Sequence, residues 1–263
     1  MIVDIQFNPA VESWESIRDG LLIAEDAGFG TAWVFDHFAG SVLRGDTMLE
    51  CFTLLGAMAA VTTRIGLGSL VVNIANRHPG VMAMSAASVQ AMSGGRFLLG
   101  LGAGAAPNTR WAMEHDLIGL ALGERMADRH ARLGAALDEL DRWWAHDRPA
   151  ELATFPLPNP RPPLLLGVNS VALAEMAAHR TDGINVRATH NQLDVLLSAA
   201  QAARRVSVRR EREMIVSVWI EWDDALADPD HPARRQWEQL GVNRLVMVCL
   251  DPHDPAAVAR FLR

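Results

Sequence analysis

The sequence predicts a closed (β/α)8 TIM barrel in a single domain, and three observations predict it. Short, continuous apolar runs rich in β-branched residues recur eight times along the chain. Continuous rather than alternating runs are what parallel strands buried on both faces require. Each run is followed by a stretch whose apolar residues fall three to four apart, the spacing of an amphipathic helix. The 263 residues match the ~250 of such a barrel. A doubly wound sheet shares the alternation, but eight even units with no break favour closure, with residues 1–263 as one domain.

The elements follow in order. A first strand over 3–7 leads into the helix Trp14–Ala27, ended by Gly28 and Gly30, since glycine readily leaves a helix through the left-handed region. A strand over 32–35 precedes a helix over 48–61, for which Asp46 and Thr47 offer an N-cap. A strand over 65–72 is followed, past Pro79, by a helix over 81–92. A strand over 97–101 is followed by a helix over 124–144. The proline-rich stretch 147–163 reads as a long surface loop within the alternation, not a domain boundary. Strands over 164–168, 183–186, 214–220 and 244–250 alternate with helices over 171–179, Leu193–Arg205, Pro232–Gln239 and 255–262.

Composition excludes several functions. The balance is 24 basic against 31 acidic residues, a net charge of −7, with no basic block to bind nucleic acid or an anionic membrane. Every basic residue is arginine, which removes lysine Schiff-base chemistry and the lysine of a phosphate loop. Cys51 and Cys249 are too few and too distant for a disulfide framework, and Cys51 falls on an apolar helix face as an inert thiol. No apolar run approaches the ~18 residues of a membrane span, and the first residues lack a signal peptide's basic and apolar regions. The expectation is a cytoplasmic protein. No pair of histidines or cysteines has metal-ligand spacing, so no metal is expected.

In such a barrel the active site lies at the C-terminal strand ends. That rule selects Asp36-His37 after strand two, Asn73 after strand three, the run from Gly102 to Asn108 after strand four, and Gly167-Val168-Asn169-Ser170 after strand five. Arg187 follows strand six, Trp219 and Glu221 strand seven, and Asp251 and His253 strand eight. His37 suits proton transfer near neutral pH, with Asp36 beside it to orient a loop or ligand. A structural histidine at a strand end is the alternative.

The series Gly100, Gly102, Gly104 fails as a dinucleotide fingerprint, because Ala105 and Pro107 stand where the third glycine is needed. What survives is close backbone approach: small residues let a planar ring lie against the main chain, or let a helix pack tightly. The N–H groups after Gly167 and the Ser170 hydroxyl suit a phosphate, or form an ordinary helix cap. Trp111, Trp143 and Trp144 read as packing, and Arg204, Arg205, Arg209 and Arg210 as a solvated face.

These residues together resemble the luciferase-like monooxygenase superfamily, most closely its branch using the deazaflavin coenzyme F420. The resemblance rests on Ala24-Glu25-Asp26-Ala27-Gly28-Phe29, Trp33-Val34-Phe35-Asp36-His37-Phe38 and Thr62-Thr63-Arg64-Ile65-Gly66-Leu67-Gly68. It continues through Arg77-His78-Pro79, Ser93-Gly94-Gly95-Arg96, Leu99-Gly100-Leu101-Gly102-Ala103-Gly104, Pro162-Pro163-Leu164-Leu165-Leu166-Gly167 and Asp182-Gly183. It spans nearly the whole chain and implies a (β/α)8 barrel. It also implies that Asp36 and His37 face the ring system of the cofactor, with His37 passing a proton or stabilising charge during hydride transfer. A non-proline cis peptide backing the ring is implied near Leu70-Val71. Asn73 is placed at the ring edge or ribityl chain, Ala103, Gly104, Ala105 and Asn108 on the strand-four loop lining the cofactor, and Gly167 to Ser170 on the phosphate loop. The family's frequent homodimer is the assembly it implies.

Three departures bear on function. Sugar-phosphate dehydrogenases of the family carry a glutamate where this chain has Ala105, which argues against sugar-phosphate oxidation. The usual Gly-Gly of the phosphate loop is Asn169-Ser170. The segment 223–231 is shorter than the insertion that often covers the pocket, leaving it open or completed by another subunit. The expected activity is hydride transfer between coenzyme F420 and a small organic substrate, favouring reduction of C=C, C=N or C=O. The alternatives are an FMN-dependent monooxygenase using reduced flavin and oxygen, and a cofactor-binding paralogue without turnover. Arg187, Trp219 and Glu221 are the expected substrate contacts, compatible with an anionic or aromatic molecule.

Overall fold

Eight parallel strands close on one another in chain order, β1 pairing with both β2 and β8. They are β1 (Ile2–Phe7), β2 (Thr31–Val34), β3 (Gly66–Asn73), β4 (Phe97–Gly102), β5 (Leu164–Gly167), β6 (Gly183–Arg187), β7 (Ile215–Glu221) and β8 (Arg244–Val248). The helices are α1 (Trp14–Ala27), α2 (Cys51–Val61), α3 (Pro79–Met92), α4 (Met113–Leu117), α5 (Met126–Trp143), α6 (Val171–Arg180), α7 (Leu193–Arg205), α8 (Pro232–Gln239) and α9 (Pro255–Arg260). This is a computed structural model describing residues 1–262, and Arg263 of the expected domain lies outside them.

The local signals behave as their chemistry requires. Gly28 ends α1 in the left-handed region at φ 93°, its N–H returning to Ala24 and Glu25. α2 starts later than expected: its N-cap is Glu50, whose carboxylate accepts the Thr53 N–H at 2.7 Å, and not the Asp46-Thr47 pair. The loop 147–163 holds one 3-10 turn, Ala150–Leu152, and joins α5 to β5 over the surface. The short α4 had no counterpart among the expected elements.

Because side chains alternate along a strand, each strand sends one set outward to the helices and the other into the barrel. The outward set joins the helices in the main core, with Ile5, Leu67, Leu99, Leu101, Ile184, Val218 and Leu245 fully buried. The inward set forms a second cluster of Trp33, Leu70, Leu165, Val246 and Val248, with Phe35, Val71, Trp219 and Leu250 packed on it.

Polar inward groups close the bottom of the barrel. Asp4 accepts two hydrogen bonds from Arg244 at 2.8 Å and one from Trp33 Nε1 at 3.1 Å, while Arg244 also donates to Thr31 at 2.6 Å. Burial pushes the Asp4 carboxyl up despite Arg244, because removing a charge from water outweighs the pairing. The barrel is therefore plugged at its N-terminal end, and a ligand has only the C-terminal mouth to enter. No helix among the described residues is long and apolar enough to cross a membrane.

Candidate active site

Alternation fixes what the mouth presents. On β6 and β7 the register pairs Asn185 with Ser217 and Arg187 with Trp219. Asn185 donates to Ser217 Oγ at 2.8 Å inside the barrel, so two residues on, Arg187 and Trp219 occupy the same inward face. On β4 and β5 the matching inward positions are Gly100, Gly102 and Gly167. A Cβ would meet Val71 Cγ2 at 2.6 Å from Gly102 and Val71 Cγ1 at 3.1 Å from Gly167. The space that side chains on these adjacent strands would need is taken by the Val71 side chain, which lies against their main chain.

Val71 reaches these strands through an irregularity in β3. The pairing with β4 shifts register between Ser69 and Val72, and the Leu70-Val71 peptide between them is cis, where the resemblance implies one. Gln6 donates to the Leu70 carbonyl at 2.8 Å, occupying one of its lone pairs, while the Leu70 side chain packs inward.

His37 follows β2 at the mouth and is held by a residue the sequence did not bring forward. Its Nδ1 lies 2.7 Å from Glu114 Oε1, and Glu114 Oε2 accepts the N–H groups of Phe38 and Ala39 at 2.7 and 3.0 Å. Burial raises the carboxyl's pKa, but the His37 bond and the Ala39 and Phe38 N–H groups outweigh it and leave it below its ordinary value. Glu114 is thus a carboxylate with only acceptors to offer, so the hydrogen of His37 sits on Nδ1 and Nε2 is left for a ligand. Trp111 stacks on the imidazole, ring centroids 5.7 Å apart at 30°, and Arg110 lies 4.1 Å over Trp111.

The expected Asp36-His37 pair divides its work. Both Asp36 oxygens are taken: Arg77 donates to Oδ1 at 2.6 Å and Oδ2 at 2.9 Å, and the Asn73 N–H and Asn76 Nδ2 donate to Oδ2 at 3.0 and 3.1 Å. A carboxylate so occupied anchors the β3–α3 loop beneath His37 and has little left for a ring system. His115, next to Glu114 and fully buried, has Nε2 2.9 Å from Asn73 Nδ2 and 2.7 Å from Asn76 Oδ1, tying α4 to the same loop.

Among the other expected cofactor residues, Gly104 has φ 93° and passes close to Asn73, whose Oδ1 would stand 3.1 Å from a Cβ there. Ala103 packs partly against the outer core, Ala105 is half-buried, and Asn108 is exposed with φ 61°. Val168 is a correction: its side chain is buried in the outer core and its N–H donates to the Asn185 carbonyl at 2.8 Å, so neither can serve a phosphate. Ser170 caps α6 by accepting the Leu173 N–H at 3.4 Å, and Asn169 beside it is exposed.

At the far rim, Arg187 lies 5.2 Å over the Trp219 indole. Glu221 is exposed and faces Arg44 at 3.6 Å, which also approaches Asp251 at 3.6 Å. His253 lies below that rim, buried with Glu12, its Nδ1 2.5 Å from Glu12 Oε2. Neither cysteine offers a nucleophile: burial pushes Cys51 well up, and Cys249 to about 12. Among the described residues, no three histidine, cysteine or acidic groups converge to hold a metal.

Glu114 escaped sequence reasoning because α4 is too short for a periodic pattern and its neighbours Met113 and Leu117 are exposed. The one available signal was an acid beside a histidine just past Trp111, in a loop that the barrel places at its mouth.

Comparison with known proteins agrees with this architecture. The family described as luciferase-like monooxygenase matches residues 4–259. An F420-dependent glucose-6-phosphate dehydrogenase of Beutenbergia cavernae is 25% identical over 259 residues, covering 91% of this chain and 73% of that protein. The enzyme of the same name from Microbacterium testaceum is 28% identical over 188 residues, covering 68% of this chain and 52% of that protein. The chain thus spans between about half and three quarters of the length of these relatives. Among solved structures, an F420-dependent secondary alcohol dehydrogenase in complex with an F420-acetone adduct superposes with a TM-score of 0.80 at 17% identity, covering 99% of this chain and 97% of the other. Monooxygenase RslO1 from Streptomyces bottropensis gives 0.77 at 17% identity, over 99% and 96%. By its family match and its fold, the chain belongs to the luciferase-like monooxygenase family of oxidoreductases.

Proposed function

We propose that the protein binds coenzyme F420 and moves a hydride between it and a small organic substrate, with His37 as the proton-transferring residue. The observation that carries this reading is the Glu114–His37 pair, which commits Nδ1 and presents Nε2 at the mouth. The F420-dependent relatives support the choice of cofactor. Gly102 and Gly167 let Val71 and the Leu70-Val71 peptide lie close against β4 and β5, a backing on which a planar ring would rest. The N–H groups opening α6 beyond Asn169 suit the phosphate of its tail.

When bound, the deazaflavin supplies or accepts hydride at carbon. The chain supplies the rest. Val71, seated against Gly102 and Gly167, would support the ring plane, and Trp111 covers one face of the imidazole. His37 gives a proton from Nε2 when the substrate is reduced or takes one there when it is oxidised, and the Glu114 carboxylate stabilises the charged imidazolium between these states. With Ala105 in place of a second acid, His37 is the single proton carrier of this arrangement, which suits reduction of a C=C, C=N or C=O bond.

Titration of the purified protein with F420 and separately with FMN, followed by tryptophan quenching, tests the reading. Tight F420 binding with weak FMN binding is the expected result. The reverse order would replace it with a flavin monooxygenase, tested by oxygen uptake, and binding of neither would mean that the altered phosphate loop has cost the site its cofactor.

A further inference from the structure

We infer that the substrate is a planar, conjugated carboxylic acid whose carboxylate is held by Arg187, an inference that rests on the oxidoreductase reading above. Arg187 ends β6 on the inward face and is exposed to the mouth, yet no carboxylate of the described residues lies within ion-pair distance of it. Its guanidinium rests 5.2 Å over the Trp219 ring instead. Stacked there, the cation keeps its planar fork of N–H donors in place without spending them, and that fork matches a carboxylate two bonds at a time.

The neighbouring acid leaves this charge free. Glu221 is two residues beyond Trp219 on β7, but its oxygen faces Arg44 at 3.6 Å, and Asp251 is drawn to the same arginine. Arg44 thus draws the rim's acidic groups away from Arg187, and the mouth keeps an uncompensated cation on its β6 side.

The side chains beside that cation are apolar, and Trp219, Phe35, Val71 and Leu250 are the half-buried ones among them. Trp219 packs against the inner cluster of Leu70, Leu165, Val246 and Val248, with Phe35, Val71 and Leu250 beside it. Across the ring of strands, β2 faces β6, so His37 and Arg187 stand on opposite sides of the mouth. A ligand touching both must be extended, with its acid at Arg187 and a planar conjugated body reaching along Trp219 and Phe35 toward His37.

The probe is trans-cinnamate, compared by isothermal titration calorimetry with cinnamamide, which keeps the shape and loses the charge, and with inorganic phosphate. Each is titrated into the wild-type chain and into Arg187→Gln and Trp219→Leu variants whose melting temperatures are unchanged. Cinnamate is expected to bind at least tenfold more tightly than cinnamamide, and Arg187→Gln to erase that preference. Trp219→Leu should weaken both ligands. Equal binding of acid and amide by the wild type would overturn the inference, as would displacement of cinnamate by phosphate, which would make the site one for phosphoryl groups.

F420 affinity is measured on the same variants. An unchanged value in Arg187→Gln supports a substrate role, whereas a tenfold loss would assign the arginine to the acidic tail of the cofactor and overturn it. The cinnamate arm needs no cofactor, so failure of F420 to bind the wild type would strike the oxidoreductase reading alone.

Discussion

Glu114 Oε1 lies 2.7 Å from His37 Nδ1, while the other oxygen of the same carboxylate holds the backbone of Phe38 and Ala39. One buried acid therefore sets both the tautomer of the histidine and the path of the loop that carries it. An amide cannot do both: Glu114→Gln either turns its NH2 toward two N–H donors or donates to His37 and moves the ring hydrogen to Nε2. We expect kcat/KM to fall about 10²-fold, within the range for a disturbed general acid, with the pH profile displaced. Cofactor affinity should stay within about threefold. His37→Ala should cost 10²–10⁴-fold and flatten the profile.

Acid should loosen the same contact. The native Glu114 carboxyl sits below its ordinary value, because hydrogen bonds from His37, Ala39 and Phe38 outweigh burial. In the unfolded chain it titrates near the usual ~4.3. The stability it contributes is fully present above that value and is lost as pH falls through the lower native one. Chemical denaturation between about pH 6 and 3 should show this slope in the wild type and a shallower one in Glu114→Gln.

The contact between Gly167 and Val71 makes a prediction of size. In Gly167→Leu the new side chain would begin 3.1 Å from Val71 Cγ1 and displace Val71 from its seat against β5. F420 affinity should fall 100-fold or more, with a stability cost of about 1–3 kcal/mol from overpacking. Circular dichroism and the cofactor titration together separate the two effects.

Gly20 on α1 sets helix preference against packing. Alanine there gains about 1 kcal/mol of helix propensity, but its Cβ would stand 2.2 Å from His253 Nε2. His253 is buried against Phe7 and bonded to Glu12, so it cannot swing away without breaking that pair. Gly20→Ala is therefore expected to destabilise by about 1–2 kcal/mol net, lowering Tm by several degrees. Gly20→Ala combined with His253→Ala should lose less than the two changes summed.

The barrel was legible because its signals are local and repeated. Apolar runs at 3–7, 97–101 and 164–168 became strands with ends moved by a residue or so, and α1, α7 and α8 ran over the expected residues. His37, Gly102 and Gly167 were selected by one rule, that ligands meet the C-terminal strand ends. Side-chain commitments were not legible. Asp36 reads as available in the sequence, but Arg77, Asn73 and Asn76 occupy its carboxylate, and Val168, which the resemblance puts on the phosphate loop, commits its N–H to the Asn185 carbonyl.

The alternation, the count of eight units and the face of the barrel where chemistry belongs are written in the order of residues, since periodicity and turn residues act over neighbouring positions. Folding is what brings Glu114, 77 residues from His37 along the chain, against its imidazole. It also decided that Arg44, and not Arg187, takes up Glu221. Hydrogen bonds and ion pairs depend on distances of a few ångströms between segments far apart in sequence, and those distances exist only once the barrel has closed.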